Sequence, residues 1–408
     1  MEPIPLLQNK RILLGVTGGI ACYKVADLAS KLTQAGAQVD CVLTESATRF
    51  IAPLTFAGVT GRPALTDADL WRSDLHVPHV ELGHTADLII IAPATANTIA
   101  KLAHGQSDNL LTVSVLAAKC PLILAPAMDA GMYEHPATQA NIETLRARGA
   151  TIVGPAEGRM ASGLIGPGRM VEPAELIGWI RVVLGRPQAL SGRKIVVTAG
   201  GTHEAIDPVR FIGNRSSGKQ GFALAQAAID RGAEVTLIAG ATALPTPIGV
   251  QRIDVESAQQ MCAAVLEACR EADALIMAAA VADFSPQQVA DQKIKKAKDT
   301  PGLELSLVRT PDILLAVKQQ RETNNRPRVV IGFAAETQSL LENARAKLDS
   351  KGLDLIVAND VSGADSGFAV DANRVTLLDA GGGVEQLPVM SKAQVAERVL
   401  DRVVALLH

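Results

Sequence analysis

The sequence predicts an α/β protein built from two doubly wound domains, each with a mostly parallel sheet. Strand-like and helix-like segments alternate along the whole chain, as they do in α/β folds. The strand-like runs, such as 11–16 and 87–91, are almost continuously apolar, which is typical of strands covered on both faces. At 408 residues the chain exceeds one typical domain, and the Pro- and Gly-containing segment 186–192 interrupts the series. We therefore expect domains at 1–187 and 188–408.

The order of the elements follows from the same runs. In the first domain the predicted strands, separated by helices, are 11–16, 39–43, 87–91, 122–125 and 151–153. In the second domain they are 195–198, 234–238, 274–278, 329–333 and 353–357. Two later runs, 373–378 and 384–389, are expected to add antiparallel strands before a closing helix at 392–407. Both halves open with a strand, a threonine and a Gly-Gly turn.

The composition argues against several classes of function. The net charge is −3 and aromatic residues make up 3% of the chain, so neither nucleic acid nor a membrane is an expected partner. A soluble, cytoplasmic protein is expected, because no signal-peptide pattern and no apolar run of membrane-spanning length occurs. The five cysteines are scattered without a CxxC pair, which fits a reducing compartment. Cys262 and Cys269 are interpreted as core residues.

The segment 198–219 is the most informative part of the chain. It is rich in Gly, Ser and Thr, follows a strand, precedes a helix and contains Arg210, Arg215 and Lys219. Glycines let backbone N–H groups approach a ligand, and the helix N-terminus favours an anion. We interpret the segment as a cradle for a phosphate-bearing ligand, with an ordinary connecting loop as the alternative. The P-loop motif is missing, so a P-loop enzyme is not expected.

Three loops of the first domain predict a second anion site. They follow successive strands, and the carboxyl ends of strands in an open α/β sheet form the ligand site. The G-x-G-x-x-G pattern of dinucleotide sites is missing, so a mononucleotide phosphate fits better. The residues predicted to hold it are Thr17, Gly18, Gly19, Thr44, Ser46, Ala92, Pro93, Ala94, Thr95 and Asn97.

Four motifs, at 79–82, 92–97, 126–132 and 163–170, resemble those of the flavin-dependent cysteine decarboxylase family. With the second half included, almost the whole chain resembles the bacterial family of bifunctional phosphopantothenoylcysteine decarboxylases/phosphopantothenate–cysteine ligases of coenzyme A synthesis. The resemblance implies a flavodoxin-like flavoprotein domain followed by a Rossmann-like ligase domain. It also implies a homo-oligomer, in which trimers of the first domain and dimers of the second build a dodecamer.

The resemblance assigns the first domain an FMN-dependent decarboxylation. FMN would oxidise the cysteine moiety of the substrate so that CO2 is lost easily. A lone histidine is more often structural, yet by the resemblance His79 is the catalytic histidine. Met128, Asp129 and Met132 fall in the substrate-recognition motif. The segment 154–170 matches a flap that closes over the substrate.

Two positions depart from the family pattern. Asp129 stands where the motif has Asn, and Ser162 stands where the flap has a proton-donating Cys. A carboxylate only accepts hydrogen bonds unless it is protonated, and a hydroxyl is a far weaker acid than a thiol. Either the first domain is inactive, or the two changes compensate. In the second interpretation, which we favour, Asp129 is protonated in a closed pocket beside the substrate carboxylate and supplies the missing proton.

The resemblance assigns the second domain a ligase activity. CTP, with Mg2+, would convert 4′-phosphopantothenate to an acyl-cytidylate, from which the amine of cysteine displaces CMP. Asn214 and Lys293 are the expected catalytic residues, and Arg210 and Asn214 the expected substrate contacts. The residues matched to CTP binding are Met277, Ala278, Ala279, Asp283, Lys293, Pro311, Asp312, Ile313, Leu314, Phe333, Lys347 and Lys351.

Three other interpretations stay open. The chain could be a ligase with an FMN-binding but inactive first domain. It could be a flavoprotein regulator that binds partners, although the region of Asp283 and Lys293 argues against pure regulation. An NAD-linked oxidoreductase is disfavoured, because neither glycine-rich turn has the dinucleotide spacing.

Overall fold

The computed structural model describes residues 2–71, 77–160, 163–295, 302–336, 340–360 and 372–408. The chain divides into two compact units, Met1–Leu184 and Gly185–His408. This division falls just before the segment 186–192, where the sequence predicts a domain boundary. Within the described ranges, no helix combines the length and the apolar character needed to cross a membrane.

The first unit is a parallel sheet between two layers of helices. Its strands are β1 (Arg11–Val16), β2 (Gln38–Leu43), β3 (Leu65–Thr66), β4 (Leu88–Ala94), β5 (Leu122–Pro126), β6 (Thr151–Ile152), β7 (Ala156–Arg159) and β8 (Ile165–Arg169). Its helices are α1 (Cys22–Gln34), α2 (Glu45–Thr48), α3 (Pro53–Thr60), α4 (Pro78–Thr85), α5 (Ala96–His104), α6 (Leu110–Ala117), α7 (Ala130–Glu134), α8 (Pro136–Ala147) and α9 (Pro173–Gly185).

Six of these strands form the main sheet, in the order β3-β2-β1-β4-β5-β6, and every neighbouring pair is parallel. Without the short edge strand β3, the order is the 2-1-3-4-5 of flavodoxin-like folds. Ile12 and Leu14 of β1 face a core with α1, α3 and α9, whereas Leu13 faces α5, α6 and α8. Both faces of the sheet are buried, which explains the continuous apolar runs.

The second unit has a larger sheet. Its strands are β9 (Lys194–Ala199), β10 (His203–Ala205), β11 (Phe211–Gly213), β12 (Glu234–Ala239), β13 (Val250–Asp254), β14 (Ala274–Met277), β15 (Phe284–Pro286), β16 (Leu307–Arg309), β17 (Val329–Glu336), β18 (Leu355–Asp360), β19 (Ala372–Asn373), β20 (Val375–Asp379), β21 (Val384–Gln386) and β22 (Met390–Ser391). Its helices are α10 (Lys219–Asp230), α11 (Ala258–Ala268), α12 (Ile313–Asn324), α13 (Leu340–Lys351) and α14 (Lys392–Leu407).

The main sheet of this unit has the order β13-β12-β9-β14-β17-β18-β20-β21. Its first six strands are parallel, in the 3-2-1-4-5-6 order of Rossmann-like folds. The last two strands are antiparallel. Val196 of β9 faces a core with α11, α12 and α13. Ala199 points to the opposite face, where a Cβ at Gly221 of α10 would stand 2.4 Å from it, and α10 packs against α14.

The α/β class and the doubly wound sheets predicted from the sequence are confirmed. The late antiparallel strands are β20 and β21, and the closing helix α14 has the predicted bounds. Cys262 and Cys269 lie in the core, as predicted. The sequence did not reveal the edge strand β13 or the hairpins β7–β8, β10–β11 and β15–β16. Their strands are short and mostly exposed or half-buried, so no apolar run marks them. The segment 198–219 is therefore not one loop, because it contains the hairpin β10–β11.

In each main sheet, an aspartate just before the fourth strand accepts a hydrogen bond from the backbone at the start of the first strand. Asp87, before β4, accepts a hydrogen bond from the Arg11 N–H at 2.8 Å. Asp273, before β14, accepts one from the Lys194 N–H at 3.0 Å and another from the Arg326 guanidinium at 2.7 Å. Burial by itself would raise the pKa of Asp273, but these hydrogen bonds and the nearby arginine charges hold that pKa below its usual value.

We expect Asp273→Asn to loosen the starts of β9 and β14 by about 1–3 kcal/mol at neutral pH, because Arg326 loses a charged partner. Since the folded pKa lies below the unfolded value of about 3.9, the stabilisation is present above that pH. It is lost as the pH falls through the folded pKa. Hydrogen-exchange protection of the β9 amides in the full chain, corrected for intrinsic rates, should therefore differ between wild type and variant at pH ~7 and converge in acid.

Glu271→Gln is the matched control. Glu271 also pairs with Lys194, at 2.5 Å, but its side chain is 77% exposed, and exposed pairs stabilise little. Protection of β9 should not change in this variant. If the β9 amides of Asp273→Asn were protected as well as those of the wild type and of Glu271→Gln at neutral pH, the buried aspartate would not stabilise the sheet.

Candidate functional site

The loops that follow β1 and β4 are joined through the hydroxyl of Thr17, which is 1% exposed. Its Oγ1 donates to the Pro93 carbonyl oxygen at 2.6 Å and accepts from the Thr95 N–H at 3.2 Å. β1 and β4 are neighbours where the strand order reverses, and ligands bind in the crevice at that point. Thr17 therefore fixes the width of the crevice, with both hydroxyl partners in the protein.

Gly18 lets the loop after β2 lie directly against the turn after β1. A Cβ at Gly18 would stand 2.4 Å from the Ser46 Cβ. A Cβ at Gly19 would meet only the Pro93 ring, at 3.9 Å. The three loops predicted to converge at this sheet edge are thus in contact.

One of the three helices that begin at these loops has no side-chain cap. Thr44 caps α2 and Thr95 caps α5, each through a backbone N–H one turn into the helix. The N-cap residue of α1, Ala21, provides no such bond. The Cys22 and Lys24 N–H groups donate to the Gly19 and Ala21 carbonyl oxygens at 3.1 and 3.0 Å. An anion would therefore meet the N–H groups of the turn that leads into α1, at the positive end of the helix dipole.

His79 lies in the first turn of α4. Its Nδ1 is buried and has no hydrogen-bond partner among the residues that the structure describes. Val77, two residues earlier, has φ 48° and ψ 64°, a strained conformation for a β-branched residue. An unpaired buried ring nitrogen beside a strained residue fits ligand binding better than packing alone.

Asp129 is the N-cap residue of α7. Its Oδ1 accepts a hydrogen bond from the Gly131 N–H at 3.1 Å, and Met132 on the same helix is exposed. An asparagine would cap this helix equally well. The cap alone therefore does not distinguish Asp129 from the Asn that the resemblance expects.

The hairpin β7–β8, which contains most of the predicted flap, lies on the Asp129 loop. The Met128 N–H donates to the Gly168 carbonyl oxygen at 3.0 Å. A Cβ at Gly168 would stand 2.3 Å from the Met128 carbonyl oxygen, so this close approach requires glycine. Ser162, the predicted counterpart of the flap cysteine, lies outside the described residues.

Lys24 of α1 anchors the end of this hairpin. It is 9% exposed, and its Nζ donates to the Met170 carbonyl oxygen at 3.3 Å and to Glu172 Oε1 at 2.5 Å. Because α1 also begins at the crevice, the hairpin is anchored to the helix whose N-terminus suits an anion.

In the second unit, a cleft of about 840 Å³ opens at the carboxyl ends of the central strands. Asn214 lines it, and its Nδ2 donates to the Ala280 carbonyl oxygen at 3.1 Å. The following residues, all matched to nucleotide binding by the resemblance, line it too: Met277, Ala278, Ala279, Asp283, Pro311, Asp312, Ile313, Leu314, Phe333, Lys347 and Lys351.

Thr198 is the counterpart of Thr17 in this unit. It is fully buried, and its Oγ1 accepts hydrogen bonds from the Ala278 N–H at 3.1 Å and the Ala279 N–H at 3.0 Å. β9 and β14 are again neighbours where the strand order reverses. The hydroxyl holds the loop after β14 against the end of β9.

Lys293 and Arg210 do not line the cleft. Lys293 is exposed, and its neighbour Ile294 donates its N–H to Asp207 Oδ2 at 3.1 Å. Arg210 Nη1 donates to Asp207 Oδ2 at 2.8 Å and to the Ile294 carbonyl oxygen at 3.2 Å. The catalytic role of Lys293 and the substrate contact of Arg210 stay predictions.

An ion pair orders the side of the cleft formed by α12 and α13. Lys351 Nζ bonds to Asp312 Oδ2, and the Leu315 N–H donates to Asp312 Oδ1 at 3.0 Å. Burial by itself would raise the pKa of Asp312, but these hydrogen bonds and the charges of Lys351 and Lys347 hold that pKa below its usual value. Asp312 is therefore charged at neutral pH and keeps Lys351 in the cleft.

α10, like α1, begins without a side-chain cap. Ser257, Asp312 and Ser391 cap α11, α12 and α14. Lys219 and Gln220, in the first turn of α10, line the cleft. Here too the helix that follows the first strand presents its N–H groups and its positive end to the site.

Sequence reasoning did not assign several polar residues that line the cleft, namely Gln220, Arg309, Thr310, Asn359, Asn373 and Lys392. The Oδ1 atoms of Asn359 and Asn373 are buried, with no hydrogen-bond partner within the described ranges. Asn359 lies near the end of β18, where a parallel sheet places ligand contacts. The others carry no such signal, because only the tertiary structure brings them together.

The fit of a metal ion can be judged from the carboxylates. Among the described residues, no three His, Cys, Asp or Glu side chains lie together as in a metal centre. Asp283 and Asp312 line the cleft, and Asp312 is engaged by Lys351 and Leu315. Asp283 is therefore the side chain that fits a Mg2+ ion shared with substrate phosphates, because Mg2+ commonly takes one or two carboxylates and phosphate oxygens.

Comparison with known families identifies both units. Residues 5–185 match the Flavoprotein family, and residues 190–407 match the DFP family, described as the DNA/pantothenate metabolism flavoprotein C-terminal domain. Together with the two sheets, these matches define a two-domain flavoprotein of the DNA/pantothenate metabolism class.

Relatives that match almost the whole chain identify the family within this class. The coenzyme A biosynthesis bifunctional protein CoaBC of Vibrio vulnificus (strain CMCP6) is 46% identical over 401 residues, covering 98% of this chain and 99% of the relative. That of Mycobacterium bovis (strain ATCC BAA-935 / AF2122/97) is 47% identical over 409 residues, covering 98% and 97%. The chain belongs to the CoaBC family of coenzyme A biosynthesis bifunctional proteins. A crystal structure of the C-terminal domain of such a protein covers 54% of this chain and 98% of that chain, at 40% identity and a TM-score of 0.46.

We expect Gly18→Ala to destabilise the first unit by about 1–3 kcal/mol, because the added methyl group would overlap Ser46. Gly19→Ala, whose methyl group meets only ordinary contact, is the matched control and should cost much less. Both tryptophans, Trp71 and Trp179, lie in the first unit, so urea unfolding followed by tryptophan fluorescence reports on that unit. Equal costs for the two variants would contradict the close approach at Gly18.

Proposed function

We propose that this chain is a bifunctional enzyme of coenzyme A synthesis. Its second unit would join cysteine to 4′-phosphopantothenate through an acyl-cytidylate made from CTP. Its first unit would then decarboxylate phosphopantothenoylcysteine to 4′-phosphopantetheine with FMN. The observation that carries the proposal is the cleft of the second unit, which collects the residues matched to the nucleotide with the exception of Lys293. The CoaBC names of the full-length relatives support it.

In the proposed ligation, a carboxylate oxygen of 4′-phosphopantothenate attacks the α-phosphorus of CTP and pyrophosphate leaves. The amine of cysteine then attacks the acyl carbon, loses a proton and displaces CMP. Lys347, Lys351 and the first N–H groups of α10 offset the negative charge on the phosphates. Asp283 would hold Mg2+ together with phosphate oxygens.

The loops of the cleft are arranged so that the two reacting groups can meet. Thr198 fixes the loop after β14, which carries the residues matched to the nucleotide. Asn214 ties the glycine-rich segment, where phosphopantothenate is expected, to Ala280 of that same loop. Binding both substrates next to each other supplies much of the rate enhancement in such transfers.

The geometry of the crevice supports binding of FMN by the first unit. The flavin phosphate would bind at the N–H groups of the turn that leads into α1, between the loops that Gly18 and Thr17 hold together. When bound, FMN supplies the oxidation and the reduction that make the loss of CO2 easy. The protein's own contribution is to orient the substrate and to exclude water.

His79 and the hairpin β7–β8 are the groups we assign to the substrate side of the crevice. The unpaired Nδ1 of His79 is able to exchange a hydrogen bond or a proton with the substrate. The hairpin lies on the Asp129 loop, so a substrate bound there would be covered from solvent. Asp129 would hold and deliver the proton that a cysteine supplies in the family pattern.

We further propose that the chain self-associates. In the first unit Leu54, Trp71 and Ile165 are at least 80% exposed, and in the second Phe211 and Phe284 are also exposed. Large apolar side chains on a surface favour association. The trimers, dimers and dodecamer implied by the resemblance stay predictions.

We expect Asp129→Asn to lower CO2 release from phosphopantothenoylcysteine by at least about 100-fold, because the carboxyl proton is lost and Ser162 is a poor acid. Asparagine keeps the cap of α7, so unfolding followed by tryptophan fluorescence should not change. The double variant Asp129→Asn/Ser162→Cys restores both family residues and should regain activity.

The outcomes separate the two interpretations of the first unit. Full activity of Asp129→Asn would show that Asp129 supplies no proton. If the wild type releases no CO2 while it binds flavin and ligates cysteine, the first unit is an inactive flavin-binding domain. The departures at Asp129 and Ser162 are the observation that favours this second candidate.

We expect the wild-type protein to release pyrophosphate when CTP, 4′-phosphopantothenate and cysteine are added, and Lys293→Gln to lower that rate by about 100-fold. Lys295→Gln is the matched control, because Lys295 is exposed two residues further along the same segment. Flavin content, read from absorbance, should be the same in all three proteins. Equal loss in both variants would remove the specific role of Lys293, and no pyrophosphate release by the wild type would overturn the ligase proposal.

A further inference from the structure

The cleft of the second unit has two walls, and the residues matched to CTP binding form only one of these walls. Asp312, Lys347 and Lys351 come from α12 and α13, on one face of the sheet. The opposite wall, which we call the α10–α14 wall, is formed by Lys219, Gln220, Gly221, Asn373 and Lys392. Asn373 belongs there because β19 pairs with β22, which leads directly into α14.

A chain of hydrogen bonds fixes the amide groups on this wall. Gln220 Nε2 donates to the Lys392 carbonyl oxygen at 3.2 Å, and Asn373 Nδ2 donates to Gln220 Oε1 at 3.2 Å. A carbonyl oxygen can only accept, so it determines which end of the Gln220 amide faces it. Gln220 then presents its oxygen to Asn373, and this determines the orientation of the Asn373 amide in turn.

The Asn373 oxygen is consequently turned away from Gln220 and needs a donor. Asn373 is 3% exposed, and its Oδ1 has no hydrogen-bond partner within the described residues. A buried acceptor left unpaired is costly, and native structures rarely contain one without a reason. Because Asn373 lines the cleft, a bound ligand is the natural source of the donor.

The surroundings of Asn373 narrow the chemistry of that ligand. Gln220 lies in the first turn of α10, whose N-terminus has no side-chain cap, and Lys219 and Lys392 line the same wall. The positive end of this helix favours an anionic molecule and disfavours an ammonium group as the donor. A neutral O–H or N–H group on a phosphorylated molecule satisfies both requirements.

We propose that Asn373 Oδ1 binds a neutral O–H or N–H group of a phosphorylated substrate, and that Gln220 is the positioning residue that orients it. The proposal rests on the proposed ligase function of this unit. Two substrates carry such groups next to phosphate: CTP, through its ribose hydroxyls, and 4′-phosphopantothenate, through its hydroxyl and amide groups. In either case Asn373 determines specificity for a substrate that carries the donor.

Calorimetric titration of the full chain tests the proposal, with CTP, 2′-deoxy-CTP, 3′-deoxy-CTP and 4′-phosphopantothenate as separate ligands. Asn373→Ala should weaken binding of one complete ligand about tenfold, the effect of one lost hydrogen bond. Gln220→Leu should weaken the same ligand less, because the Asn373 oxygen remains but is no longer held in place. Gln226→Leu, on the same helix and outside the cleft, is the matched control and should bind like the wild type.

The deoxynucleotides distinguish a direct contact from a structural effect. If a ribose hydroxyl is the donor, the matching deoxynucleotide binds the wild type about tenfold more weakly than CTP and loses nothing further in Asn373→Ala. If 4′-phosphopantothenate is the ligand, Asn373→Ala weakens it alone and leaves CTP binding unchanged.

Two results would overturn the assignment. In one, Asn373→Ala binds every ligand like the wild type. In the other, it weakens all four ligands by the same factor, as a general distortion of the cleft would. A wild-type chain that binds neither CTP nor 4′-phosphopantothenate would instead contradict the ligase function itself, so the two failures are distinguishable.

Discussion

A buried threonine hydroxyl at the end of the first strand holds together the loops between which each unit can bind its ligand. Thr17 joins the backbone of Pro93 and Thr95 in the first unit, and Thr198 joins the backbone of Ala278 and Ala279 in the second. The first and fourth strands are neighbours in both sheets, and the loops that follow them diverge at this point. A hydroxyl can donate and accept, so one small side chain satisfies backbone groups that the strand ends leave open.

The helices around the loops that these threonines hold differ in whether a side chain caps their N-termini. A side chain that capped α1 or α10 would compete with a phosphate for the positive end of the helix. Both helices begin without one, whereas Thr44, Thr95 and Ser391 cap other helices that begin near the sites. α3 and α4 also lack a side-chain cap, but α1 and α10 share one position: each is the first helix after the first strand of its unit.

The sequence predicted the parts of the fold that burial controls. Central strands such as β1 and β14 are apolar on both faces, so each is recognisable from its own residues. The hairpin strands are short and exposed, and their positions depend on tertiary contacts such as the one between Gly168 and Met128. The same reason hides part of the site: Gln220 and Asn373 are 153 residues apart, and Gln220 and Lys392 are 172 apart. No motif spans such distances, and only the pairing of α10 with α14 brings these residues together.

An unpaired buried polar atom indicates a ligand only where it also lies at a candidate site. Gln320 Nε2 on α12 also lacks a partner among the described residues, yet Gln320 does not line the cleft, so it indicates no ligand. Asn373 Oδ1 and His79 Nδ1 do lie at predicted sites, and their chemistry differs. An amide oxygen can only accept, which suits recognition of a fixed donor, whereas an imidazole nitrogen can accept or donate a hydrogen bond. The second unit therefore leaves unpaired a fixed acceptor where we propose that a substrate is selected, and the first leaves unpaired a ring nitrogen that can exchange a hydrogen bond with its substrate.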